Sequence, residues 1–194
     1  MGEVIVLTRP QVETVTIEVI GTSPLICRNW SETQKAEMLA KQTKRASKGR
    51  AAKDPQRDYE ESLYHHPEGG YGFPAVAFKA AAVRAGTYAD MKMTFLRGAF
   101  HVAGEMVKVE GVPSMRQDMV RLQGKVADIR YRGQFEEWSA KVPVQLNSTA
   151  LSIEQLANLF VLAGFAVGVG EWRPERNGQY GRFDVGTIET RRAA

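Results

Sequence analysis

Hydrophobic and polar positions first fall into a clear rhythm at Val15, Ile17 and Val19, which alternate with Thr16, Glu18 and Ile20 and stop at Gly21. Period-two alternation of β-branched residues predicts a half-buried strand. Thr22-Ser23-Pro24 breaks it, and Leu25-Ile26-Cys27 is a short apolar patch that could continue it. Ser31 with Gln34 three residues on reads as a capping box opening a helix. Only Met38 and Leu39 are bulky and apolar in that helix, so it hardly buries a face. Periodicity is lost through 47–62, where Gly49 and Asp54-Pro55 are breakers. Pro74 is expected at the first position of an alanine-rich helix over 75–85, with Val76, Lys79 and Val83 on one side.

Residues 98–111 read as strand, with Phe100, Val102, Met106, Val107 and Val109 apolar and Ala103-Gly104-Glu105 as a kink or turn. Residues 115–126 mix charged and apolar positions without a clear period. Ile129 and Tyr131 alternate with Asp128, Arg130 and Arg132 up to Gly133. A further strand runs from Trp138 through Ala140, Val142 and Val144 to Leu146, with Pro143 suggesting an edge position. Ser152 and Gln155 form a second capping box, ahead of Ile153, Leu156, Leu159, Phe160 and Ala163 at helical spacing. That stripe is expected to be core, with Gly164 as the C-cap. Phe183, Val185 and Ile188 mark a last strand. Stripped of insertions, the order is βαββαβ, an α+β, ferredoxin-like (RRM-like) antiparallel sheet with two helices on one face.

Composition places the chain among ordinary globular proteins, with 194 residues, 43% hydrophobic and 25% charged. One domain over 1–194 is expected, with 31–70 a basic insertion or arm. No apolar run reaches the roughly 18 residues needed to span a bilayer. The start MGEVIVLTRPQ lacks the features of a secretory signal. Cys27 is the single cysteine, so an internal disulfide is excluded, and no Cys/His spacing suggests zinc. The expected location is the cytoplasm, with no membrane partner and no cofactor or metal.

Charge is more informative. Lys41, Lys44, Arg45, Lys48, Arg50 and Lys53 contribute +6 with no acid among them, and since the whole chain is +4, the remainder carries −2. A local unmatched cation run is the footprint of a nucleic-acid contact. The second candidate is the stretch from Gly168 to Phe183. There Gly168, Gly170, Gly178 and Gly181 bracket Trp172, Arg173 and Arg176, and Arg182 follows. Glycines permit positive φ and close backbone approach. Successive free N–H groups would make an anion-binding concavity, guanidiniums fork onto phosphates, and an indole offers a stacking face. Arg28, Lys79 and Arg84 complete the candidate nucleic-acid-binding set.

A Gly-x-Gly element, basic spacer and further glycines, set between the last helix and last strand of a ferredoxin-like domain, resembles the hallmark loop of the RAMP superfamily of CRISPR-associated proteins. Gly168-Val169-Gly170, Gly178 and Gly181 carry the likeness. The stretch 72–84, with Lys79 and Arg84, is similar to the segment that enters the first helix of Cas7-type members, and the basic insertion lies near where those members contact guide RNA. The resemblance implies a non-catalytic backbone subunit of a CRISPR effector complex. It would bind single-stranded RNA (or DNA) with little base preference, beside copies of itself and other effector subunits. A second reading is a stand-alone or phage-encoded single-strand-binding or CRISPR-inhibiting protein on the same fold. A third is a Cas6-like endoribonuclease. Its histidine would come from His65, His66 or His101, all with solvated or structural readings of their own. Asp54, Asp118 and Asp128 are the aspartates considered for target cleavage, and nothing singles one out. No catalytic residue is therefore assigned.

Overall fold

The computed structural model describes residues 9–30, 32–43, 53–122 and 126–191. Its strands are β1 (Val12–Gly21), β2 (Leu25–Ile26), β3 (Tyr71–Pro74), β4 (Phe100–Val102), β5 (Met106–Glu110), β6 (Pro113–Leu122), β7 (Val126–Phe135), β8 (Ser139–Asn147) and β9 (Phe183–Arg191). Its helices are α1 (Glu32–Gln42), α2 (Pro55–Ser62), α3 (Ala75–Ala85), α4 (Met93–Ala99) and α5 (Ile153–Leu162). The main sheet runs β3-β5-β8-β1-β9, with β4 also on β8, and its pairings are all antiparallel. Along β1, α3, β4/β5, β8, α5 and β9 the strand order is 4-1-3-2 with both helices on one face, the ferredoxin-like arrangement read from the sequence.

The core forms where the periodicities of sheet and helix meet. Val15, Ile17 and Val19 face inward with no exposure, as do Val142, Val144 and Leu146 across the pairing. Phe78, Ala82 and Ala85 of α3 and Leu156, Leu159 and Phe160 of α5 cover them. Burying each large apolar side chain stabilises the fold by about 1.5–3 kcal/mol. The Ser152 capping box forms, with Gln155 N–H donating to Ser152 Oγ and Ser152 N–H to Gln155 Oε1. Ser31 and its capping box lie outside the described residues.

Several local expectations are corrected. Pro74 ends β3 and stands at the N-cap of α3, not inside it. Val76 of α3 is exposed, whereas Val83, expected on the same side, is buried together with Phe78, Ala81 and Ala82. Met93–Ala99 is helical, so Gly98 belongs to α4. Pro143 sits in the central strand β8. Its carbonyl accepts from Ala103 in the gap between the β4 and β5 pairings, so its missing N–H costs no ladder bond to β1. Gly164 is not the C-cap of α5. One π-helical turn follows to Val167, and Gly168, at φ +70°, ends it.

The largest addition is a second sheet, β2-β7-β6. Of the ambiguous stretch 115–126, the residues up to Leu122 belong to β6, which pairs along its length with β7, and β7 continues through Gly133 to Phe135. Gly133 does not end the strand because it is a packing point for α2. A Cβ there would stand 2.2 Å from Leu63, and its N–H donates to Ser62 Oγ.

Candidate nucleic-acid interface

The glycine loop is folded against the β1–β2 turn by backbone bonds. Gly181 N–H donates to Pro24 O at 2.8 Å, Glu171 N–H to Ile26 O at 3.1 Å, and Val169 N–H to Gly181 O at 2.9 Å. Tyr180 N–H donates to Trp172 O, and Gly178 N–H to Arg173 O. Gly178 and Gly181 are required by this crossing of two chain segments. A Cβ would lie 1.6 Å from Trp172 O at the first and 1.7 Å from Val169 O at the second. The expected row of free N–H groups is therefore corrected. The amides of Gly168, Val169, Glu171, Arg176, Asn177, Gly178, Tyr180 and Gly181 are all donated to the protein's own carbonyls.

Trp172 has a role the sequence did not suggest. The guanidiniums of Arg116 and Arg132 lie 5.3 and 5.1 Å from its ring centroid, and Arg116 is also 4.8 Å from that of Tyr180. These arginines face each other across the β6–β7 hairpin. Asp118 holds them together, with Oδ1 2.8 Å from Arg116 Nε and Oδ2 3.2 Å from Arg132 Nη1. Asp118 and Arg132 are 8% and 5% exposed. The indole thus locks hairpin to loop through cation–π contact. Arg116 is held above the usual guanidinium pKa. Burial opposes that shift, and the Tyr180 hydroxyl and Asp118 carboxylate outweigh it.

Acids of the loop neutralise several of the predicted cations. Glu175 takes Arg173 at 2.8 Å and Arg84 at 3.3 Å. Glu171 takes Arg28 at 3.6 Å and Arg132 at 3.5 Å. Arg28 and Arg84 are half-exposed, and such surface pairs contribute little and exchange readily. Lys53 is bound to Asp128 and to the carbonyl of Ile129 on β7. Lys79 donates to Arg97 O at 3.1 Å and lies 2.8 Å from His101 Nδ1, and burial lowers its pKa. Lys41 falls within α1, and Lys44, Arg45, Lys48 and Arg50 lie outside the described residues.

Arg176 and Arg182 form no ion pair among the described residues. Both line a cleft of about 540 Å³ with Ser23, Pro24, Trp172, Asn177, Gly178, Gln179 and Tyr180. Arg182 is anchored by its backbone, since its N–H donates to Ser23 Oγ and its carbonyl accepts from Thr22 and Ser23. Its Nε is buried with no hydrogen-bond partner among the described residues. Ser23 is fixed in turn by Trp138, whose indole N–H donates to the Ser23 carbonyl at 2.9 Å. The structure thus brings Trp172, Arg176, Gly178 and Arg182 to one cleft and adds Ser23, Asn177, Gln179 and Tyr180. The flanking of Tyr180 by Gly178 and Gly181 was the available signal for the added group.

The candidate catalytic groups have structural partners. His65 bridges to Tyr71, and His66 Nδ1 accepts the N–H of Glu68. Asp54 caps α2 by accepting from Arg57 N–H. Asp118 is buried between arginines, and Asp128 pairs with Lys53 and Arg130. His101 is exposed on the sheet, as its alternation with Phe100 and Val102 predicts. Among the described residues no group of three His, Cys, Asp or Glu side chains is placed to hold a metal ion. Among the same residues no helix is long and apolar enough to cross a membrane.

No protein-family model matches the chain, and no curated protein matches it in sequence. Solved structures do resemble it. A chain of a Type III-B Cmr-beta complex bound to cognate target RNA superposes with a TM-score of 0.55 at 8% identity, over 95% of this chain and 62% of that one. This protein therefore spans less than two thirds of that chain's length. Cmr6 from Pyrococcus furiosus gives a TM-score of 0.46 at 12% identity, over 92% of this chain and 99% of that one. The likeness is one of fold, and it agrees with the α+β, ferredoxin-like arrangement read from the sequence.

Proposed function

We propose that the protein binds single-stranded RNA as a Cas7-like subunit of a CRISPR effector complex, without cleaving it, and that the strand passes over the cleft beside the glycine loop. The observation that carries this reading is the pair Arg176 and Arg182. They are cations without acid partners among the described residues, on a cleft that also presents an aromatic ring and two carboxamides. A guanidinium left free beside a ring is suited to a phosphodiester and its base. The RNA bound by the Cmr-beta complex favours RNA over DNA as the strand. The basic stretch 41–53 supplies further charge, and copies of this chain or other effector subunits would continue the path.

The test is a salt titration of labelled single-stranded RNA by fluorescence anisotropy. Affinity should fall steadily with salt, by about −0.7 in log K per log salt for each phosphate contacted. Arg176→Ala and Arg182→Ala should each weaken binding and flatten that slope. Wild-type affinity in both variants, or no binding at low salt, would refute the assignment.

A further inference from the structure

The cleft is larger and chemically richer than a passing phosphodiester requires. Its volume of about 540 Å³ lies within the range of pockets that enclose a small molecule. Asn177 and Gln179 both line it and are both exposed. Neither carboxamide makes a hydrogen bond among the described residues. Asn177 is set in the left-handed region, at φ +60° and ψ 24°, by the turn closed through its N–H to Pro174 O. The side chain is therefore positioned by the backbone and left free to bind. Three residues on, the Tyr180 ring lies 6.1 Å from that of Trp172. The buried Nε of Arg182, a residue of the same cleft, is a donor without an acceptor among the described residues.

We infer, resting on the RNA-binding reading above, that this cleft is a pocket for one unstacked nucleotide whose base is read by the carboxamides of Asn177 and Gln179, and that the base it fits is adenine. A carboxamide presents a donor and an acceptor side by side. That pattern complements the N6 amino group and N7 of adenine, whereas the two acceptors of guanine suit a guanidinium. The guanidiniums here are placed for the flanking phosphates. Arg182 is tied to Ser23 by its own backbone and contributes charge from a fixed point. Tyr180 supplies a ring for stacking, as aromatic side chains do for splayed single-stranded bases. The protein would then read one position of an otherwise unread strand.

The experiment uses the full chain and labelled short oligouridylates carrying A, G, C or U at one central position, titrated by fluorescence anisotropy. The adenine-containing strand should bind about tenfold tighter, the discrimination of one good bidentate contact. Asn177→Gly removes the carboxamide and keeps the left-handed turn, which an alanine would strain. Gln179→Ala removes the second. Each should erase most of the adenine preference, read as the ratio of adenine-strand to oligouridylate affinity in the same variant, with melting temperatures unchanged to show that the loop is folded. Equal binding of all four strands would overturn the inference and leave RNA binding standing. So would a preference for another base, or an adenine preference that survives both variants. Failure to bind any strand at low salt would remove the RNA-binding reading itself, and the pocket with it.

Discussion

Gly181→Ala should be the most damaging small change in the loop. The new methyl carbon would stand 1.7 Å from Val169 O and 3.2 Å from Val169 N. The two segments would have to part by more than about 1 Å to restore ordinary contact. Such a shift breaks Val169 N–H to Gly181 O (2.9 Å) and Gly181 N–H to Pro24 O (2.8 Å), the bonds that close the loop on the β1–β2 turn. Each leaves buried groups unpaired at about 1–3 kcal/mol. At φ +64° the alanine adds about 1–2 kcal/mol of its own. Together these come to about 3–8 kcal/mol, a large part of the 5–15 kcal/mol a domain has in total. Urea unfolding followed by tryptophan fluorescence reads the loss, and a thermal melt should fall by roughly 10 °C. Gly98→Ala is the control, because nothing lies within 4 Å of its Cβ position in α4. It should stabilise by about 0.5–1 kcal/mol. A Gly181→Ala protein within about 0.5 kcal/mol of wild type would refute the argument that the crossing requires glycine.

Asp118→Ala leaves Arg116 and Arg132 facing each other without their shared carboxylate and should cost about 3–5 kcal/mol by urea unfolding. Asp118→Asn, which keeps an acceptor, should cost less, and equal losses would show that the charge alone carries the contribution. Glu18 is held below the usual carboxyl range by hydrogen bonds first from the Thr187 backbone N–H and then from its hydroxyl. The stability this adds is present above the ordinary glutamate value of 4.5 and is lost as pH falls through the lowered one. Thr187→Val should raise the Glu18 value in an NMR titration without restoring it fully, and an unmoved titration would discount the hydroxyl. Ser152→Ala removes one arm of the α5 capping box and should cost about 1 kcal/mol by urea unfolding, whereas no loss would mean that packing alone sets the helix start.

What the sequence made legible was whatever depends on local periodicity. Val15, Ile17 and Val19, the run Ala140 to Leu146, and the stripe Leu156, Leu159 and Phe160 all place their apolar sides inward. The hairpin escaped because its pattern is inverted. On β6 the inward side chains are Arg116 and Asp118, and the outward ones include Met115 and Met119, the latter 69% exposed. A reading that sets apolar residues inside cannot find a strand whose buried face is an ion-paired cluster against an indole. Gly164 was mistaken for the helix end because its role is set at long range. It is buried against Phe183, whose carbonyl would lie 1.9 Å from a Cβ there. The loop arginines were legible as cations, but in the same stretch Glu175 pairs with Arg173 and Arg84, and Glu171 pairs with Arg28. Which cations stay free was decided by three-dimensional pairing.

That pairing also limits what the cleft can do by itself. Two unpaired guanidiniums, Arg176 and Arg182, would give a salt slope of only about −1.4 at −0.7 per contact. Exchange of Arg28 and Arg84 from their surface pairs onto phosphates would deepen it to about −3. Full engagement of the six cations between Lys41 and Lys53 would take it beyond about −5. The slope therefore reports the path of the strand as well as the fact of binding. A shallow slope confines RNA to the loop, where the Pro24, Ile26 and Trp172 contacts hold a preorganised site. A steep one requires the strand to reach the 41–53 stretch too. In that case Arg176→Ala should remove about 0.7 from the slope and leave most of the affinity at low salt, since the remaining contacts still hold the strand.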